Sequence, residues 1–197
     1  MEKLLLCPDT AVSPEITLSE NASCSEMIWE TGHSIDTNSY DLSNLEFICE
    51  TLPAGKLTDY MLSDFGCPVI SPRLRTLLEQ NGIDNIQYFP ATIQSTPKTA
   101  TAQYYAANIL GLVACIDTDQ SVMDAETDEN GETTIIYSID KLVLKKTSLD
   151  PGSIFIAFPF ERIILIDERF SKLFDDAGIF GVKCIDPDRW DGINGEI

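Results

Sequence analysis

Histidine occurs once in this sequence, at His33, and bases of every kind are scarce: 13 Lys and Arg stand against 32 Asp and Glu. Each shortage excludes something. With a single imidazole, a Cys–His or Ser–His catalytic set has only one place to be assembled. The shortage of base leaves a formal net charge of −19, which repels nucleic acid and anionic membranes and draws cationic partners inward. The phosphate-cradling glycine loop, the G-x-S-x-G elbow and the dinucleotide fingerprint are absent as well. No cofactor is called for.

Long apolar runs are also missing. The longest, "YYAANILGLVACI" from Tyr104 to Ile116, is too short to span a bilayer and contains Asn108, so no membrane segment is expected. In "MEKLLLC" three leucines are too few for the apolar region of a secretory leader, and the stretch is expected to be the first strand. The six cysteines, Cys7, Cys24, Cys49, Cys67, Cys115 and Cys184, form no C-x-x-C pair. They read as small buried side chains in a reducing cytoplasm, which is the expected location.

What remains is an ordinary globular composition, 44% hydrophobic over 197 residues, enough for one well-buried core. One domain over residues 1–197 is expected, with room for two lobes within it, 1–115 and 116–197. Strands are expected at "EITL", "EMIWET" with Trp29 in the core, "LEFICETL", "NIQYFPATI", "YYAANILGLVACID", "TTIIYSI" and "SIFIAF". A short helix is expected between the turn at Pro53-Ala54-Gly55 and Pro68. The class is α+β, with mixed α/β as the alternative, β-rich with two short capped helices in repeated strand-helix-strand units.

The repeat is visible in "PVISPRLRTLLEQNGIDNIQYF", Pro68 to Phe89, and "IILIDERFSKLFDDAGIFGVKCI", Ile163 to Ile185. Laying Arg169 over Arg73 superposes Ile166 on Ile70, Leu173 on Leu77, Gly178 on Gly82 and Val182 on Ile86. Ser71 and Asp167 are the expected N-caps, and Pro72 and Glu168 suit the first helical position. Leu74, Leu77, Leu78 and Phe170, Leu173, Phe174 give each helix one apolar stripe, and Gly82 and Gly178 end it. Arg73 and Arg169, at helix starts that disfavour cations, are each expected to pair with a carboxylate. Duplication and shared packing grammar explain the likeness equally well.

Two segments carry the acid. "DTDQSVMDAETDENGE", Asp117 to Glu132, has seven acids and no base, and its Asn130-Gly131 dipeptide signals a hairpin turn. The tail from Asp186, "DPDRWDGINGEI", is the other. Glu126, Asp128 and Asn130 alternate as in a calcium loop, but the twelfth position is Tyr137 where a bidentate Glu is required, so no metal site is expected. The candidate partner-binding residues are Asp117, Asp119, Asp124, Glu126, Asp128, Glu129, Glu132, Asp186, Asp188, Trp190 and Asp191. Trp190 is either an interface anchor or a cap on the core. No catalytic residues are assigned.

Four stretches taken in order, "KLTDYMLSDFGCPVISPRLRTLLEQNGIDNIQYFPATI", "YYAANILGLVACID", "SIFIAF" and "IILIDERFSKLFDDAGIFGVKCI", resemble the immunity-protein family eleven of bacterial polymorphic toxin systems, over about residues 56–186. The resemblance implies a small cytoplasmic antidote that binds and neutralises a secreted or contact-delivered toxin encoded beside it. It implies no shared catalytic residues and does not identify the contact surface. A strongly acidic chain suits an inhibitor of a basic nuclease, since such enzymes must hold phosphates. Two alternatives come from other classes. One is a small enzyme using Cys49 or Cys67 with His33; the other is an acidic adaptor or DNA mimic. Oligomeric state is left open.

Overall fold

The protein is described by a computed structural model covering residues 2–19, 28–95, 101–130, 133–145 and 152–192. Two sheets and a separate hairpin make up the β structure of these residues. The six-stranded sheet runs β2 (Thr17–Leu18), β3 (Leu45–Cys49), β6 (Ile86–Ser95), β7 (Thr101–Ile109), β5 (Pro68–Ile70), β4 (Tyr60–Leu62). The five-stranded sheet runs β13 (Val182–Ile185), β1 (Lys3–Pro8), β12 (Ile164–Asp167), β11 (Ile154–Phe158), β8 (Leu112–Ala114). Among the strand pairs of the described residues, β3–β6 and β11–β8 are the parallel ones. The described residues are thus β-rich with two α-helices, α1 (Pro72–Gln80) and α2 (Arg169–Asp176), in an α+β fold.

The run "KLLLCP" becomes β1 in the interior of its sheet, paired with β12 on one side and β13 on the other. Its side chains alternate between two cores, as strand pleating requires. Leu6 packs with Tyr60, Ile70, Leu74 and Phe170, whereas Leu5 and Cys7 pack with Phe155, Leu165, Ile139 and Trp190. The first of these clusters draws on both sheets and both helices. Full burial of a side chain such as Phe155 or Phe170 contributes about 2–3 kcal/mol. The third core lies on the six-stranded sheet, where Trp29 meets Phe89 edge to face at 5.7 Å.

α1 leads from β5 to β6 with β7 between them in the sheet; α2 leads from β12 to β13 with β1 between them. Both helices end alike. Gly82 (φ 85°) and Gly178 (φ 62°) adopt the left-handed conformation, and the next N–H reaches back five residues, Ile83 to Leu78 O at 3.1 Å and Ile179 to Phe174 O at 2.9 Å. They start differently. Ser71 Oγ accepts from the Leu74 N–H at 3.1 Å, as expected. Asp167 does not cap α2: it is taken by Lys3 Nζ at 2.5 Å and Arg169 Nε at 3.6 Å, and Glu168 precedes the helix with no capping bond. Arg73 pairs with Asp59, so both helix-start arginines have their carboxylates.

Two expected elements are corrected. The segment before Pro68 forms no helix; Tyr60–Leu62 is a strand paired antiparallel with Pro68–Ile70, and a turn with Gly66 at φ 69° follows it. Tyr60 and Met61 are both buried, one into each flanking core, a demand that only an extended backbone meets. The expected strand "EMIWET" begins outside the described residues, and Ile28 to Thr31 are turn-like. Gly32, at φ 67° against the Leu112 backbone, bends the chain there, although Trp29 is buried as expected.

Candidate functional site: an acidic hairpin and the tail at its root

The acidic run folds into β9 (Val122–Thr127), paired antiparallel with β10 (Thr133–Lys141). A two-stranded ribbon is marginal alone; here one face is fixed by core contacts. Ile139 is buried, and Met123 and Ile136 pack beside it against Leu142 and Phe155. The register shifts three times, once between Ile136 and Ser138. Bulges of this kind re-aim side chains. Tyr137, inside that shift, faces outward and is 54% exposed.

The expected partner-binding carboxylates divide by their bonds. Asp117 shapes the turn into the hairpin, accepting from the N–H groups of Asp119 and Gln120 at 3.2 Å and from Gln120 Nε2 at 2.6 Å. Asp128 accepts from Asn130 N at 2.8 Å, and Asp186 accepts from Asp188 N at 2.9 Å at the start of a 3₁₀ turn over Pro187–Arg189. Asp119, Asp124, Glu126, Glu129, Asp188 and Asp191 are exposed. Glu132 lies outside the described residues. Glu126 Oε1 accepts the Tyr137 hydroxyl at 2.5 Å. That bond, then partial desolvation and the charges of Glu126 and Asp124, raise the phenol above its ordinary value.

Trp190 is not the exposed anchor that its acidic flanks suggest. It is 5% exposed and packs with Leu5, Cys7, Ile139 and Phe155, because burying an indole against this edge gains more than solvation of a short tail. Its burial ties the tail to the hairpin: Gly192 lies on the Ile139 carbonyl, and Asp191 is near enough to Cys7 to help raise that thiol. The two acidic segments therefore adjoin at the hairpin root. Sequence reasoning missed the apolar side of this site. Val122 (53%), Ile135 (48%) and Tyr137 are three of the six large hydrophobic side chains exposed among the described residues. The β-branched and aromatic residues of "TTIIYSI" signalled a strand, but composition does not say which face lacks a cover.

The Cys–His alternative finds its parts in the wrong state. His33 is exposed, and its carbonyl accepts from Asn108 Nδ2 at 2.9 Å. Cys49 and Cys67 are buried and donate to the carbonyls of Thr51 and Pro68 at 3.1 and 3.3 Å. Burial raises the Cys49 pKa, disfavouring the thiolate that a nucleophile requires. A cavity of about 550 Å³ lies between the Pro8–Thr17 segment and the β4–β5 turn; its carboxylates are Glu15 and Asp64, the latter holding the Leu18 N–H at 3.1 Å. Among the described residues no three His, Cys, Asp or Glu side chains are grouped to hold a metal, and no helix is long and apolar enough to cross a membrane.

Comparison with known proteins adds one finding. A family model described as Immunity protein family (Imm11) matches residues 20–187. No curated protein matches the chain.

Proposed function

The chain belongs to the Imm11 immunity protein family, and from that premise we propose that it binds and neutralises a cognate antibacterial toxin as a stoichiometric protein inhibitor. The observation carrying this reading is the exposed acidic hairpin, anchored along one face and open along the other. A projecting surface of this kind suits recognition, with function carried by a segment that a rigid scaffold positions. The two helix units and their sheets are that scaffold, and β1, which joins the first residues to the last strands, supports a single unit over residues 1–197.

The target we infer is a basic nuclease. A net charge of −19 speeds association with such an enzyme and competes with its nucleic acid, while the chain itself has no nucleic-acid or membrane partner. The toxin is encoded by the adjacent gene, delivered by type VI secretion or contact-dependent competition, and met in the cytoplasm. Titrating the activity of that toxin domain with the purified chain tests the reading. The expected result is a linear fall to zero at one equivalent. Undiminished activity in several-fold excess, with salt-labile binding to many basic proteins, would replace it with the acidic-adaptor reading.

A further inference from the structure

We propose that the outward face of the β9–β10 hairpin is the toxin contact, with Val122, Ile135 and Tyr137 forming an apolar anchor and Asp124 and Glu126 the carboxylates around it. The inference rests on the toxin-immunity reading and commits to one occupant: a toxin surface with an apolar depression bordered by Lys or Arg. Cross-strand pairing gives the layout. Glu126 lies opposite Ile135, Asp124 opposite Ser138 beside the shift that turns Tyr137 out, and Val122 opposite Lys141. Three half-exposed hydrophobic side chains on one short ribbon cost solvation unless something covers them. The opposite face already has its cover, since Met123, Ile136 and Ile139 pack on the core. Charge complementarity selects the occupant, because the carboxylates bordering this strip repel an acidic partner and favour a basic one. Tyr137 is positioned in advance: its hydroxyl is held by Glu126 at 2.5 Å, so less side-chain freedom is lost on docking.

The face assigns different work to its two kinds of residue. An aromatic and aliphatic centre sets how long a complex lasts, while surrounding charge sets how fast it forms. A bare acidic DNA mimic lacks the first component. The test measures binding kinetics between the full chain and the toxin domain encoded by the adjacent gene, carrying an inactivating substitution. Ile135→Ala with Tyr137→Ala should raise Kd by about 30-fold or more, chiefly through faster dissociation. Asp124→Asn with Glu126→Gln should slow association several-fold at low salt, with the difference shrinking as salt rises. Thermal unfolding of each variant checks that the exposed substitutions leave the fold intact. If the wild-type chain inhibits the toxin but the Ile135/Tyr137 variant binds as tightly, the assignment of this face is wrong and the immunity reading stands. If the wild-type chain does not bind, both fall.

Discussion

Gly192 sits so close to Ile139 that a Cβ built on it would lie 2.5 Å from the Ile139 carbonyl oxygen. The contact fastens the acidic tail to the root of the hairpin, and Gly192 holds φ 86°, a conformation that side chains oppose. Gly192→Ala is expected to destabilise the chain by about 1–3 kcal/mol. Urea unfolding measures it, and a change within about 0.5 kcal/mol would show that the tail is not held there.

Gly181 and Gly82 separate steric contact from backbone conformation. Their φ angles are nearly equal, 82° and 85°, but a Cβ on Gly181 would fall 2.3 Å from Thr58 Cβ, whereas Gly82 has open space around it. Gly82→Ala should cost about 1 kcal/mol, the left-handed penalty alone. Gly181→Ala should cost clearly more and perturb the Ser13 hydroxyl, which donates to the Gly181 carbonyl at 2.9 Å. Equal losses in paired unfolding curves would remove the packing argument.

Asp59 joins three segments by accepting from Ser71 Oγ at 2.6 Å, from Arg73 and from the Phe180 N–H at 2.8 Å. Desolvation pulls its pKa upward, but the bonds from Arg73, Ser71 and Phe180 together outweigh it and hold the carboxyl below its ordinary 3.8. Its contribution is complete above pH 3.8 and is lost as the pH falls through the lower folded-state value. Asp59→Asn should therefore cost about 1–3 kcal/mol near neutral pH and flatten the loss of stability below pH 4. A parallel pair of stability-versus-pH curves contradicts this.

Burial pushes the thiols of Cys7 and Cys184 up to about 12 and that of Cys115 up to about 11. Because the thiolate is the reactive form, alkylation of these three at pH 8 should be slow in the native chain and rapid in urea. Mass spectrometry of labelled peptides measures both rates. Rapid native labelling of Cys115 would mean that its core opens readily.

Local chemistry was the legible part of this fold. The Ser71 cap and the terminating Gly82 and Gly178 depend on neighbours within a few residues, and the corresponding turns form; the Asn130-Gly131 signal runs outside the described residues at Gly131, and the strands flanking it pair antiparallel. The failures involve partners distant in sequence. Asp167 had the chemistry of an N-cap but is claimed by Lys3, which β1 brings across the sheet. Tyr60 and Met61 lie in a pattern that also suits a helix; pairing with Val69 and Ile70 makes them strand. The candidate site divides the same way. Its carboxylates were visible in the sequence, whereas the exposure of Ile135 and Tyr137 and the burial of Trp190 depend on packing that no local pattern records.

The most direct test of an inhibitor acting through its acidic hairpin is amide hydrogen exchange on the chain alone and in a 1:1 mixture with the adjacent-gene toxin domain. The expected result is slowing concentrated in Val122–Thr127 and across Ile135–Lys141, with α1 and α2 unchanged. Protection confined to the helices or to the Pro8–Thr17 segment, with the hairpin amides exchanging as before, would contradict it.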